Sequence, residues 1–236
     1  MSSVATPPPA RTLALGDVHG CFVALQTLAS EMPFREEDLV IALGDYVDRG
    51  PQSREVIDWM LARLETGKLV PLRGNHEEMM FWALGDQGSQ KSWMAPYVGG
   101  RETLDSYAPE DRDGRLVDVP DSHWRFISQQ TLMYFETEDW IFAHAHLHPR
   151  LSLLEHTSEY LLWDRFDAQP LHVSGKRLIC GHTEQISGVP RVYPHGICID
   201  TRAYGGGWLT ALDVATGDYG QANQKGNFRR GKLSLQ

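Results

Sequence analysis

Three apolar runs in the first third of the chain each end in glycine-flanked polar residues. Thr12–Leu15 precedes Gly16-Asp17-Val18-His19-Gly20, Leu39–Leu43 precedes Gly44-Asp45-Tyr46-Val47-Asp48-Arg49-Gly50, and Leu69–Leu72 precedes Arg73-Gly74-Asn75-His76-Glu77. Asp17 and Asp45 are 28 residues apart, and Asp45 and Asn75 are 30 apart. Each interval is one strand–helix–strand step. The chain is thereby constrained to a parallel sheet whose polar tips meet at one edge. Between the runs, Cys21–Ser30 carries Phe22, Leu25, Leu28 and Ala29 at helical spacing. Ser53–Glu65 presents Val56, Ile57, Met60, Leu61 and Leu64 on one face, and Glu77–Leu84 reads as a third helix.

The periodicity weakens from Gly85 to Asp121, where glycine, proline and charges are dense, and this stretch reads as a mostly helical insertion shaping a substrate cleft. Strand signals return at Leu132–Glu136 and Trp140–Ala143, then at Arg177–Cys180, Val189–Val192, Ile197–Ile199 and Trp208–Val214. These short runs predict a second, mixed sheet. The expected fold class is therefore α/β, with two mixed β-sheets packed face to face in a sandwich flanked by helices. Residues 1–10 read as a flexible tail, 11–218 as a single domain containing the 85–121 insertion, and 219–236 as a polar, solvated tail.

Bulk composition narrows the class. Of 236 residues, 42% are apolar and 22% charged, and the net charge is −9. That balance argues against broad electrostatic binding to nucleic acid or to an anionic membrane. No stretch approaches the roughly 18 apolar residues of a membrane span, and the start of the chain lacks the pattern of a signal peptide. The three cysteines, Cys21, Cys180 and Cys198, are widely spaced, as expected of a reduced, cytoplasmic chain.

Divalent cations at phosphate sites are held by carboxylates, imidazoles and amide oxygens. Asp17, His19, Asp45, Asn75, His144 and His182 each follow an apolar run directly or sit within a few residues beyond it. One aspartate after a strand is ordinarily a turn or a helix cap. Gly-Asp-x-His-Gly, Gly-Asp-x-x-Asp-Arg-Gly and Gly-Asn-His-Glu in this order and spacing are far more specific.

Over roughly residues 11–215 these motifs resemble the phosphoprotein phosphatases, within the calcineurin-like metallophosphoesterases, and most of all the bacterial and phage-type enzymes. The segment Gly99-Gly100-Arg101-Glu102-Thr103-Leu104-Asp105-Ser106-Tyr107 is similar to one in those proteins. The resemblance implies two divalent metal ions, manganese by expectation, although iron and zinc suit the same donors. Asp17, His19 and Asp45 would hold one ion and Asp45, Asn75, His144 and His182 the other. His146 and His148 compete with His144, but the family places its ligand directly after the strand. The implied chemistry is direct attack on phosphorus by a hydroxide bridging the metals. His76 would be the general acid, held by Asp48. Arg49 and Arg73 would clamp the phosphoryl group, with Arg165, in Leu161-Leu162-Trp163-Asp164-Arg165, as a third arginine.

The expected activity is protein serine/threonine phosphatase, extending to phosphotyrosine or phosphohistidine, on phosphoprotein substrates and as a monomer. The rival is the symmetrical diadenosine tetraphosphate hydrolase or another nucleotide phosphohydrolase. That group usually has alanine where Asp48 stands and Leu-Gly-Asn-His-Asp at the third motif, so Asp48, Arg73 and Glu77 favour the phosphatase. A non-enzymatic scaffold is disfavoured by the complete ligand set. In Ile199-Asp200-Thr201-Arg202-Ala203, Arg202 stands where the family commonly has glycine, placing an extra cation at the site or its rim.

Overall fold

Alternation along the strands sets the layers. In β2 (Leu39–Ala42), Val40 and Ala42 face one apolar core, whereas Ile41 and the following Leu43 face another. Successive side chains on a strand point to opposite faces, so a run apolar at every position is buried on both. The computed structural model, which describes residues 10–168 and 170–235, buries both faces of this sheet. The strands β1 (Thr12–Leu15), β2 and β3 (Leu69–Pro71) are parallel neighbours. They are linked by α1 (Phe22–Glu31) and α2 (Ser53–Glu65), whose buried Val56, Ile57 and Met60 form the predicted face. Pro71, unable to donate to a ladder, lies in the edge strand.

The second sheet contains β4 (Tyr134–Glu136), β5 (Trp140–Ala143), β6 (Arg177–Cys180), β7 (Arg191–Tyr193) and β8 (Gly196–Cys198), in the order β4-β5-β6-β8-β7. Ala14, Ile41 and Leu43 of the first sheet pack against Phe142, Ile179 and Ile197 of the second, which makes the expected face-to-face sandwich. Helices cover the outer faces, including α3 (Asn75–Trp82) on one side and α7 (Ser158–Trp163) on the other. The 85–121 segment forms α4 (Gln87–Trp93), α5 (Gly100–Ser106) and a short 3-10 turn, followed by α6 (Asp121–Arg125).

Two expectations are corrected. Leu209–Asp213, read as part of the second sheet, is β9 and pairs antiparallel with β1 in the first. The polar tail at 219–236 is instead a hairpin of β10 (Asp218–Ala222) and β11 (Phe228–Lys232), which extends that sheet to the order β11-β10-β9-β1-β2-β3. The domain therefore runs on through Lys232 rather than stopping at 218. Its polar side chains, although several are exposed, have partners. Arg229 Nε donates to Gln221 Oε1 at 2.7 Å, and Lys232 pairs with Asp218 at 3.0 Å. Gln221 is fully buried and donates to Thr210 Oγ1 at 2.8 Å. Arginines and lysine on an edge strand are also what discourages further strand addition. The expected N-terminal tail, Ala10 apart, lies outside the described residues. All three cysteines are free and buried. No helix among the described residues is long and apolar enough to cross a membrane.

Candidate active site

Parallel strands aim their carboxyl ends the same way, and both sheets do so here toward one point. Asp17 follows β1, Asp45 follows β2, Asn75 opens α3 after β3, and His144 and His182 follow β5 and β6. Reaching that point distorts the backbone. His19, Asp45, Asp48, Arg49, His182 and Arg202 all have φ between 45° and 71°, and they are the non-glycine residues with positive φ among those described. Each such residue costs about 1 kcal/mol or more, and such strain concentrates at functional sites. Close approach adds a demand for glycine. A Cβ on Gly74 would collide with Asp45 Oδ1, and one on Gly181 with Asp17 Oδ1.

The imidazoles show what the point is for. His144 Nδ1 donates to the Leu43 carbonyl at 2.9 Å, His19 Nδ1 donates to the Val47 carbonyl at 2.9 Å, and His182 Nε2 donates to the Trp163 carbonyl at 3.3 Å. With those hydrogens committed, the other ring nitrogen of each carries only a lone pair. His144 Nε2 and His182 Nδ1 lie 2.9 and 3.0 Å from Asn75 Oδ1, and His144 Nε2 is 3.4 Å from Asp45 Oδ1. His19 Nε2 is 3.3 Å from the other oxygen, Asp45 Oδ2. Converging lone pairs repel one another unless a cation sits between them. Fixing the ring through its second nitrogen is the usual support of a metal-binding histidine. Asp45 offers one oxygen to each group, so it can bridge two cations. Accordingly, Asp45 and His19 make one potential metal-holding group with His76, and Asp45 makes another with His144 and His182.

Asp17 completes the picture by its lack of a partner. Its Oδ2 accepts from the His182 backbone N–H at 2.9 Å, but its buried Oδ1 has no hydrogen-bond partner among the described residues. Burial and repulsion from Asp200 and Asp45 push the Asp17 pKa well above the carboxylate range, and burial pushes Asp200 up to about 7. Burial lowers the pKa of His19 and His144, and takes His182 down to about 4. Asp17 and Asp200 resist charge and the three imidazoles stay neutral, as in a site short of positive charge, while the neighbouring histidines hold Asp45, despite its burial, below the ordinary carboxylate range. The donor set thus fits two divalent cations.

His76 differs. Burial opposes its charging, but Asp45 and Asp48 together outweigh burial and raise its pKa. Its Nδ1 lies 2.7 Å from Asp48 Oδ2, and its Nε2 is 4.0 Å from Asp45 Oδ2. Asp48 is fully buried and also accepts from Thr103 Oγ1 at 2.7 Å and from Trp93 Nε1 at 2.9 Å. The insertion therefore holds Asp48 in place.

The arginines divide. Arg49 sits at the rim, with Nη1 3.1 Å from His19 Nε2 and 3.2 Å from Glu184 Oε1 and its guanidinium over the Tyr204 ring. Arg73 spends its nitrogens on the Thr131 hydroxyl, Glu78 and the Ser128 carbonyl at 2.9–3.1 Å. Its expected clamp role therefore rests on resemblance alone. Arg165 is exposed, and its side chain makes no hydrogen bond or ion pair to the cluster among the described residues. His146 is buried away from Asp45 and lies 3.6 Å from Asp167, so it does not displace His144.

Sequence reasoning gave no role to Glu77, Trp93, Thr103, Glu184 or Tyr204. Glu77 accepts from the N–H groups of Asp45, Tyr46 and Gly74 at 2.7–2.9 Å, fixing the loop that carries Asp45. Its place in the third motif was the available signal. Thr103 lies in the Gly99–Tyr107 segment that resembles the family, and Trp93, Glu184 and Tyr204 carried no signal. Arg202, the departure from the family pattern, pairs with Glu184 at 3.1 Å on the rim.

Fold and donor set together fit a site for divalent cations with a guanidinium at its mouth. The family model for calcineurin-like phosphoesterases matches residues 10–185, and the chain belongs to that family, whose members use two divalent metals. Among curated proteins, serine/threonine-protein phosphatase 1 of Salmonella typhimurium is 38% identical over 36% of this chain and 37% of its own length. The symmetrical bis(5'-nucleosyl)-tetraphosphatase of Pectobacterium atrosepticum is 29% identical over 60% of this chain and 45% of its own length. The matches thus span less than half of these relatives. The cold-active protein-tyrosine phosphatase of a Shewanella species shares the fold, with a TM-score of 0.61, 18% identity, and coverage of 95% of this chain and 82% of its own.

Proposed function

We propose that this metallophosphoesterase hydrolyses single phosphomonoesters on protein side chains, as a protein serine/threonine phosphatase. Two cations, manganese in this reading, would polarise the phosphoryl group and make a shared water acidic near neutral pH. Asp17, His19 and Asp45 would hold one and Asp45, Asn75, His144 and His182 the other. Arg49 would take the phosphoryl oxygens that face the rim, exchanging Glu184 for them. His76, protonated and held through Nδ1 by Asp48, would give its Nε2 proton to the leaving alkoxide.

The observation that carries this reading is the buried Asp48–His76 pair at 2.7 Å, with His76 Nε2 facing Asp45, which would be shared by the two cations. An alkoxide leaving group needs such a proton; a phosphate leaving group needs it less. The supply of cations agrees. Arg49 contacts His19 of the cluster, while Arg73 is tied down and Arg202 shares Glu184 with Arg49 further out on the rim. One guanidinium matches one phosphoryl group, whereas a tetraphosphate chain carries several charges to neutralise. The alternative, a diadenosine tetraphosphate hydrolase, draws on the length of the match to the tetraphosphatase named above. The manganese-loaded protein should release phosphate from phosphoserine and phosphothreonine peptides faster than it cleaves diadenosine tetraphosphate; the reverse order refutes the proposal.

A further inference from the structure

Arg202, on the rim, has no task in the chemistry above, yet its backbone is held in a costly conformation. Its φ is 61° and its ψ 52°, the left-handed region that glycine enters freely and arginine does not. The loop pins it there. The Arg202 N–H donates to Asp200 Oδ1 at 2.9 Å, and its carbonyl accepts from the N–H groups of Gly205 and Gly207 at 3.1 and 3.0 Å. Gly205 also leaves room for the arginine, since a Cβ there would stand 2.6 Å from Arg202 Nε. Strain of this kind persists only where the surroundings fix it, and it concentrates at functional sites. The side chain so held meets Glu184. Arg202 Nε lies 3.1 Å from Glu184 Oε2, and Arg49 Nη1 lies 3.2 Å from Glu184 Oε1. The Tyr204 hydroxyl donates to that same Oε1, and the Arg49 guanidinium lies over the Tyr204 ring at 4.4 Å. Two guanidiniums thus share one carboxylate, each at its own oxygen. Side-chain exposure rises from 23% at Arg49 to 29% at Glu184 and 40% at Arg202, so the row runs outward from the cluster.

We propose that Arg202 is a positioning residue for substrate binding, which holds Glu184 aside while the phosphoryl group takes Arg49. The inference rests on the phosphomonoesterase reading, in which Arg49 grips phosphate, and deepens it. An incoming phosphoryl group is an anion, and it must displace Glu184 Oε1 from Arg49 Nη1. A partly buried carboxylate deprived of its cation would repel that anion. Arg202 on the other oxygen, with the Tyr204 hydroxyl, keeps Glu184 partnered throughout the exchange. With glycine at 202, Arg49 would be the one cation left on Glu184 among the described residues, and the carboxylate would stay on it. The strained backbone at Arg202 thereby has a use that glycine would not supply.

The experiment measures kcat and KM on one phosphoserine peptide, and competitive inhibition by inorganic phosphate, for the manganese-loaded full chain. The variants are Arg202→Gly, Arg202→Lys, Glu184→Gln and the double variant Glu184→Gln with Arg202→Gly. Arg202→Gly installs the residue that the left-handed backbone favours, so the fold is kept. It should raise KM and the phosphate inhibition constant together by about 2- to 5-fold, the worth of one partly exposed ion pair, with kcat changed less. Arg202→Lys, which keeps the charge, should recover most of the loss. In the Glu184→Gln background the same glycine should change KM less than about 1.5-fold, because the carboxylate through which Arg202 acts has lost its charge. An equal rise in that background would show Arg202 touching the substrate itself and overturns the proposal. So does an unchanged KM in Arg202→Gly, a loss confined to kcat, or a rise in KM that inorganic phosphate does not share. Failure of the underlying reading is separable, because the wild-type protein would then release no phosphate from the peptide.

Discussion

Asp48 is fully buried, with its Oδ2 2.7 Å from His76 Nδ1. Burial pushes its pKa up, and the His76, Thr103 and Trp93 hydrogen bonds pull it back. Its cost is met by those partners, and its effect falls on His76. Replacing it by Asn keeps the shape and removes the charge that favours a protonated imidazole. Asp48→Asn and His76→Asn should each lower kcat on phosphoserine peptides by about 10²- to 10⁴-fold, the usual contribution of a positioned acid. Metal content, measured by elemental analysis, should not change. On p-nitrophenyl phosphate, whose leaving group needs no proton, both losses should shrink; an equal loss there would remove His76 as the acid. The pairing of Asp48 with His76 was legible in the sequence because both sit in tight motifs. Trp93 and Thr103 were not, since they are 45 and 55 residues away in the segment with the weakest pattern.

Between elements, ion pairs fix the strand ends and the rim. Arg11 at the start of β1 reaches Asp38 before β2 through two nitrogens, and Asp38 is wholly buried. Burial alone would raise the Asp38 pKa, but the Arg11 hydrogen bond and charge, with the Arg35 N–H, hold it below the ordinary value. A depressed carboxylate stabilises the fold above its unfolded pKa, near 3.9, and loses that contribution as pH falls further. Asp38→Asn should therefore cost about 1–3 kcal/mol at pH 7. In urea titrations the difference from wild type should narrow below about pH 4; a gap unchanged at pH 3 would refute the charge origin. On the rim, Glu184 competes with phosphate for Arg49. Glu184→Gln should lower KM for phosphopeptides with kcat changed little, whereas a raised KM would show that Glu184 organises Arg49 rather than occupying it. The elements themselves were mostly legible, because β1 to β3 and α2 repeat strong periodic patterns. The hairpin β10–β11 was not. Its polar residues look like a solvent-facing tail until Arg229 is placed beside Gln221 and Gln221 beside Thr210 of β9.

At the scale of the whole molecule, the site belongs to neither sheet. Asp17, Asp45 and Asn75 come from the first and His144 and His182 from the second, so cations bound between them tie the sandwich together. A ligand at 100 times its dissociation constant adds about 2.7 kcal/mol. For a chain of this size that is a Tm rise of about 5–11 °C. Manganese should produce such a rise in calorimetry, and a chelator should reverse it; a Tm indifferent to both would contradict a site shared by the two sheets. Removing residues 218–236 should also lower Tm and favour aggregation, because β9 would become an unprotected apolar edge. By itself, the sequence determined the two strand–helix–strand steps, the residue types at the three strand tips and the family they resemble, since these depend on local period and on motifs within a few residues. Only the tertiary structure decided that β9 joins the first sheet, that the last hairpin completes it, that Arg73 is tied down while Arg49 faces the cluster, and that Trp93 and Thr103 hold Asp48 from a distant segment. Those outcomes depend on which distant segment supplies a partner. A polar side chain's period says that it needs one, but not where in the chain it will be found.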